Sequence, residues 1–151
     1  MKHTICALLL IGLGACGPKF HHPTPNGFVK LEDQYNYDYR AVTADGLVLA
    51  ARAIRHKPKG EIGFWKKAVV NQMRQRGGYA LLGEKDVKTR SGLDGVQLRF
   101  GHDESRTPHL YYVTLFVTED TIFLLEAGGS KKQVEESTAQ IDEAVAGFRI
   151  N

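Results

Sequence analysis

His102-Asp103-Glu104 is the only dense cluster of titratable side chains in a stretch that reads as a loop, with His109 a few residues further on. Imidazoles and carboxylates ligate divalent metals, and the same pair can pass a proton in hydrolysis. A metal needs three or four such groups converging on one point, and adjacent side chains of an extended chain diverge. Residues 101–108 are polar and read as a loop, so the group fits a solvated turn equally well. His21-His22 is an adjacent pair without further ligands and reads as solvated. Glu126, close to Gly128-Gly129 at the end of an apolar run, reads as a buried acid or an edge residue. No Gly-x-Ser-x-Gly, His-Glu-x-x-His or phosphate-loop pattern occurs. The expectation is a non-catalytic protein with no cofactor and no metal. The alternative is a small hydrolase or metal-dependent enzyme using the loop from His102 to His109. A pocket joining His102, Asp103 and His109 would favour it.

Charge is most uneven between positions 52 and 76. Arg52, Arg55, Lys57, Lys59, Lys66, Lys67, Arg74 and Arg76 stand there against Glu61 alone. Arg52, Arg55, Lys57, Lys59, Lys66, Lys67 and Arg74 are the candidate partner-binding residues. They would attract anionic head groups or an acidic protein. A solvated helix face and a charged edge strand would look the same. The whole chain has 20 basic and 17 acidic side chains, too even a balance for a nucleic-acid binder.

Only one thiol has a chemistry of its own. Lys2 and the apolar residues 5–15 read as a secretory signal, too short for a transmembrane helix of about 20 residues. Leu13-Gly14-Ala15-Cys16 resembles the bacterial lipobox. That resemblance implies a diacylglyceryl group on Cys16, cleavage before it, and a mature protein anchored by its lipid. Gly17 follows, and the enteric sorting rule then implies the outer membrane, with the domain in the periplasm. Cys6 leaves with the signal, so no free thiol or disulfide remains.

The organisation follows: 1–15 signal, 16–34 lipidated cysteine and flexible tether, 35–151 one globular domain. The tether reading rests on three prolines and an Asn-Gly in residues 17–27. Tyr35, Tyr37 and Tyr39 alternate with polar residues and suggest a strand with a tyrosine row on one face. Asp45-Gly46 signals a type I′ turn, and 47–55 reads as the return strand. Ile62, Trp65, Val69 and Met73 predict a helix over 61–76, closed by Gly77-Gly78, with Trp65 on the core. Lys66, Lys67 and Arg74 then fall on its outward face. Strands are predicted over 79–89, 96–100, 110–117 and 121–127, the last ended by Gly128-Gly129. Ser130 and Gln133 form a capping box before one closing helix, with Val134, Thr138, Ile141, Val145 and Phe148 on its buried face.

The order ββαββββα with short turns implies an α+β fold, a largely antiparallel sheet flanked by two helices. This order resembles the photosystem extrinsic subunit PsbP and its bacterial relatives, an α/β/α sandwich. The likeness is carried by Phe64-Trp65, Val113-Thr114-Leu115-Phe116-Val117, Ile122-Phe123-Leu124-Leu125-Glu126-Ala127 and Ala144-Val145-Ala146-Gly147-Phe148-Arg149. It implies a largely non-catalytic binding or assembly subunit, and nothing in the sequence supports a photosynthetic role. Together these readings give a lipid-anchored cell-envelope protein that binds or helps assemble a membrane-associated complex.

Overall fold

The structure, a computed structural model, describes residues 19–32 and 36–151. Seven strands form one antiparallel sheet: β2 (Phe28–Lys30), β3 (Tyr39–Thr43), β4 (Val48–Arg55), β5 (Ala80–Lys88), β6 (Asp94–Glu104), β7 (Thr107–Val117) and β8 (Thr121–Ser130). Their spatial order is β2-β3-β4-β8-β7-β6-β5. A two-stranded ribbon joins β1 (Phe20–His21) to β9 (Arg149–Ile150). Helix α1 (Ile62–Gly77) covers one face, and α2 (Lys131–Glu136) and α3 (Thr138–Gly147) cover the other. The α+β sandwich with helices on both faces is the architecture that the alternation of apolar residues implies.

Side chains of a strand alternate between faces, so an apolar strand buried on both sides serves two cores. In β7, Tyr112 and Phe116 face α3, while Val113 and Leu115 face α1. The first core joins Leu49, Phe123 and Leu125 to Ile141, Ala144 and Val145 of α3 and to Phe148, whose ring stacks on Phe116 at 5.3 Å. The second gathers Val96, Leu98, Phe100 and Leu124 beneath Trp65, Val69 and Met73. Trp65 is half-buried rather than enclosed. Its indole N–H is shared between His56 Nδ1 and the Gly60 carbonyl, each 3.1 Å away. Gly78, at φ 65°, closes α1, its N–H reaching the Met73 carbonyl. Helix α1 packs against β5, β6 and β7, which leaves the β3–β4 side of that face without a helix over it.

Several boundaries differ from the sequence reading. The tether does not extend through 19–32: Phe20 and Phe28 are core residues, and β1 is paired with the far end of the chain. Prolines permit this because β1 and β2 avoid them and pair at sheet margins. The segment 101–108 is not a loop. Strands β6 and β7 run on to a tight turn at Ser105-Arg106, whose φ values of 49° and 67° are those glycine or asparagine would advertise. The Asp45-Gly46 turn has one left-handed residue, Gly46 at φ 98°, instead of two. Gly128-Gly129 does not end β8, which continues to Ser130. The closing helix is two helices broken at Ser137, where the Thr138 hydroxyl turns back to the Val134 and Glu135 carbonyls. The capping box forms as expected, Ser130 N–H donating to Gln133 Oε1 at 2.8 Å and Gln133 N–H to Ser130 Oγ at 3.3 Å.

Candidate binding cleft

The face that α1 leaves open carries a concavity of about 440 Å³, within the size range of ligand sites. Its floor is the β4–β8–β7 segment. Ala50 and Val113 flank Glu126 by register, and Tyr111 lies opposite Gly128. The glycine is required there, since a Cβ would come within 2.7 Å of the Tyr111 ring. Tyr37, Arg40, Tyr79 and Gln133 form the walls.

Glu126 is the polar centre. It is only 7% exposed, and its Oε1 accepts from Arg52 Nη2 at 3.0 Å. Arg52 is 34% exposed and lies over the Tyr37 ring at 5.2 Å, with Arg40 on the same ring at 6.0 Å. Burial, helped by the Glu126 charge, pushes the Tyr111 phenol well above its usual range, so it remains a donor at neutral pH. The ring of Tyr79 stands 5.7 Å from Tyr111 and 5.0 Å from His102. Arg52 Nε and Glu126 Oε2 are buried without a hydrogen-bond partner. Such unmet capacity is uncommon in native interiors, and Gln140 Oε1 on α3 shares it. The cleft therefore offers aromatic walls, a guanidinium, a phenol donor and a carboxylate.

The single acid in an otherwise apolar strand was the sequence signal for Glu126. Tyr111 and Tyr79 had none, because their meeting depends on register and on the end of α1. The tyrosine row does not share a face. Tyr39 is buried against the α3-side core, whereas Tyr37 lies outside β3 and turns to Arg52. The reason is Asp38, whose carboxylate takes the Ala53 N–H and interrupts the ladder before Tyr37. Tyr35 and Cys16 lie outside the described residues.

The basic run is not one patch. Arg52 turns to Glu126 and the Tyr37 ring, both of which line the cleft. Lys59 bridges Glu119 and Asp120 at 3.2 and 3.4 Å, and these carboxylates raise its pKa. Lys66 bonds Glu84 of β5 at 3.0 Å, so it faces the sheet edge and not outward. Arg55, Lys57, Lys67 and Arg74 are exposed and carry no ion pair among the described residues. Counting charge along the chain missed these acids because all come from other strands and turns.

His102 and His109 are directly opposite across the β6–β7 hairpin, and Asp103 pairs with Pro108. His109 Nδ1–H donates to the Thr107 carbonyl at 3.0 Å, and its Nε2 lies 3.9 Å from Glu104. All three residues named for the alternative reading line a groove of about 790 Å³ along the β5–β6 edge. Among the described residues no three histidine, cysteine or acidic side chains converge to hold a metal. A further groove of about 880 Å³ at the start of α1 is larger than the cleft, but Lys59 on its rim is ion-paired. His21 and His22 are separated by the β1 pleat, His22 going inward.

The fold and cleft define the chain as a PsbP-like α/β/α sandwich with a partly uncovered sheet. Solved structures share this fold. LpqN of Mycobacterium tuberculosis, involved in cell envelope biogenesis, matches with a TM-score of 0.70 at 10% identity over 87% of this chain and 83% of that one. The cyanobacterial PsbP of Synechocystis matches at 0.58 with 11% identity over 92% and 99%. PA94 of Pseudomonas aeruginosa, a protein of unknown function and putative regulator, matches at 0.55 with 8% identity over 78% and 76%. At these identities the likeness is one of fold. No family model and no curated protein sequence matches the chain.

Proposed function

We propose that this is a lipid-anchored, non-catalytic protein of the cell envelope, attached through Cys16 and binding or helping to assemble a membrane-associated complex. The outer membrane, with the domain in the periplasm, is the expected location. The observation that carries the reading is the uncovered half of the sheet. An amphipathic helix hides the rest of that face, and the open part is a shaped cleft with a buried Glu126, paired to the half-exposed Arg52, and three tyrosines. Aromatic and arginine side chains in partly desolvated hollows are the usual anchors of recognition. The likeness to LpqN, a protein of envelope biogenesis, supports the envelope setting. Arg55, Lys57, Lys67 and Arg74 would add attraction for an anionic lipid or an acidic protein. Photo-crosslinking residues at Tyr37 and at Glu143 on α3, in the lipidated protein in its native envelope, test the reading. A discrete adduct from position 37 and none from 143 is expected. Equal or absent adducts at both positions reject the cleft as the binding face.

A second reading, a small periplasmic hydrolase or metal-dependent enzyme, draws on the groove shared by His102, Asp103 and His109. It requires hydrolysis of an ester or phosphoester panel that His102→Ala and His109→Ala abolish without lowering the melting temperature. No hydrolysis by the wild-type protein, with or without added divalent metals, rejects it.

A further inference from the structure

Six large apolar side chains stand exposed among the described residues: Val29, Ile54, Ile62, Phe64, Leu82 and Ile150. Four of them share one end of the molecule. Ile54 lies opposite Ile122 near the start of β8, Ile62 and Phe64 occupy the first turn of α1, and Ile150 is in β9. The β7–β8 turn gathers them. On one face, His56 N–H donates to the Asp120 carbonyl at 3.2 Å, and His56 Nε2–H to the Glu119 carbonyl at 2.8 Å. Gly60 N–H then reaches His56 Nδ1 at 3.3 Å, which seats the start of α1 on that turn. On the other face, Phe20 packs edge-on to Phe123 at 5.9 Å, and the Lys19 carbonyl accepts from Asn151 N–H at 3.2 Å. Val29 and Leu82 lie at the opposite end. Val29 is level with Gly128 through Val42 and Val48, and Leu82 is beside the Leu81–Phe100 pair, itself level with Gly128 through Tyr111.

We infer that this end of the sandwich rests on the bilayer surface, with Phe64, Ile62 and Ile150 in the headgroup region. The inference rests on the lipid anchor at Cys16. The revised domain start shortens the tether: Cys16 is three residues from Lys19, a reach of at most about 11 Å. With Lys19 held at this end by Asn151, that reach is too short to bring another side to the membrane. Phe64 is 54% exposed and Ile62 37%, exposures that cost little if the rings and branches enter a headgroup layer about 5–10 Å deep. Lys57 and Arg149 stand exposed beside them and suit anionic headgroups. This stance lifts the Glu126 cleft, at the other half of β8, clear of the bilayer.

The test uses full-length protein, lipidated in its host and reconstituted in phosphatidylethanolamine–phosphatidylglycerol vesicles. An environment-sensitive probe is attached to a cysteine at Phe64 or Ile150, with Val29 and Leu82 as controls, and quenched by brominated lipid. Quenching several-fold stronger at 64 and 150 than at 29 and 82 is expected. Hydrogen exchange of the unlabelled protein should slow at the first turn of α1 when vesicles are present. Equal quenching at all four sites, or no slowing of exchange, in a chain whose mass shows the acyl groups overturns the stance and leaves the anchor intact. A mature chain without acyl mass overturns both.

Discussion

The imidazole of His22 is stacked on the ring of Tyr39, the centroids 4.1 Å apart and the planes 22° from parallel. Its Nδ1–H donates to the Pro23 carbonyl at 2.8 Å, and the Tyr39 hydroxyl donates to the same carbonyl at 3.2 Å. A segment that composition assigns to a tether is thereby fastened to the sheet. Burial lowers the His22 pKa from 6.5 to about 4. Between these values the unfolded chain binds the proton and the folded one does not, so stability falls as the pH drops through this window and levels off below it. The full loss is about 3 kcal/mol. Denaturant titrations at pH 7, 5.5 and 4 should show it, and His22→Phe, which keeps a stacked ring, should flatten the slope.

The Arg52–Glu126 pair should respond asymmetrically to truncation. Arg52→Ala strands a carboxylate that is 7% exposed, whereas Glu126→Ala strands a guanidinium that is 34% exposed and reaches water. Removing one partner of a buried pair costs about 3–5 kcal/mol. Arg52→Ala should approach the lower end of that range, and Glu126→Ala should fall below it. The double variant Arg52→Met, Glu126→Leu should recover most of the loss, measured as melting temperature. Equal losses from the two single variants would mean that the carboxylate is better solvated than its exposure implies.

Trp65 should matter less than its helical position suggests. It is half-buried, so Trp65→Ala should cost about 2 kcal/mol, below the value for an enclosed ring. Trp65→Phe keeps most of the packing but removes the N–H shared by His56 and Gly60, a loss of about 1 kcal/mol. Urea titrations of the two variants separate these contributions.

Cys16→Ser should abolish acylation and leave the precursor uncleaved, because the thiol is the atom that accepts the lipid. The wild-type protein should fractionate with outer-membrane markers. Mass spectrometry of the mature N-terminus and density separation of the membranes check both. Normal processing of the serine variant to a soluble form would reject the anchor.

Elements whose evidence is local were legible in the sequence. The spacing of Ile62, Trp65, Val69 and Met73 marked α1, the alternation of Val96, Leu98 and Phe100 marked β6, and Ser130 with Gln133 marked the start of α2. Elements whose evidence is non-local were not. Strand β1 exists because Phe20 meets Ile150 at the other end of the chain, and no window of the sequence contains both. The turn at Ser105-Arg106 lacks the residues that usually declare positive φ. The cleft was half legible. Glu126 stood out as an acid in an apolar strand, but its partner Arg52 was read as part of a surface patch because the register between β4 and β8 brings them together. The same limit inflated the basic run, since Glu84, Glu119 and Asp120 answer Lys66 and Lys59 from distant positions.

The remaining free cations allow a membrane contact to be separated from a protein contact. Lys57 is at the end of the sandwich where α1 begins, and Arg74 lies in its last turn. Ile62 and Arg74 are twelve positions apart, about 18 Å at 1.5 Å per residue. The Debye length is about 8 Å at physiological ionic strength, so a charge at Arg74 is screened from a surface that touches Ile62. For an unlipidated domain starting at Gly17, Lys57→Glu should therefore weaken sedimentation with anionic vesicles at about 0.15 M salt, and Arg74→Glu should leave it unchanged. Each basic residue near an anionic surface contributes about 1 kcal/mol, so the reversal at Lys57, a change of two charges, should lower the partition coefficient by about thirtyfold. High salt should erase the difference. If Arg74→Glu weakens vesicle binding as much as Lys57→Glu, the helix lies along the membrane and does not stand on it. If neither matters for vesicles while Arg74→Glu reduces recovery of an acidic protein from envelope extract, the free cations of α1 belong to a protein partner.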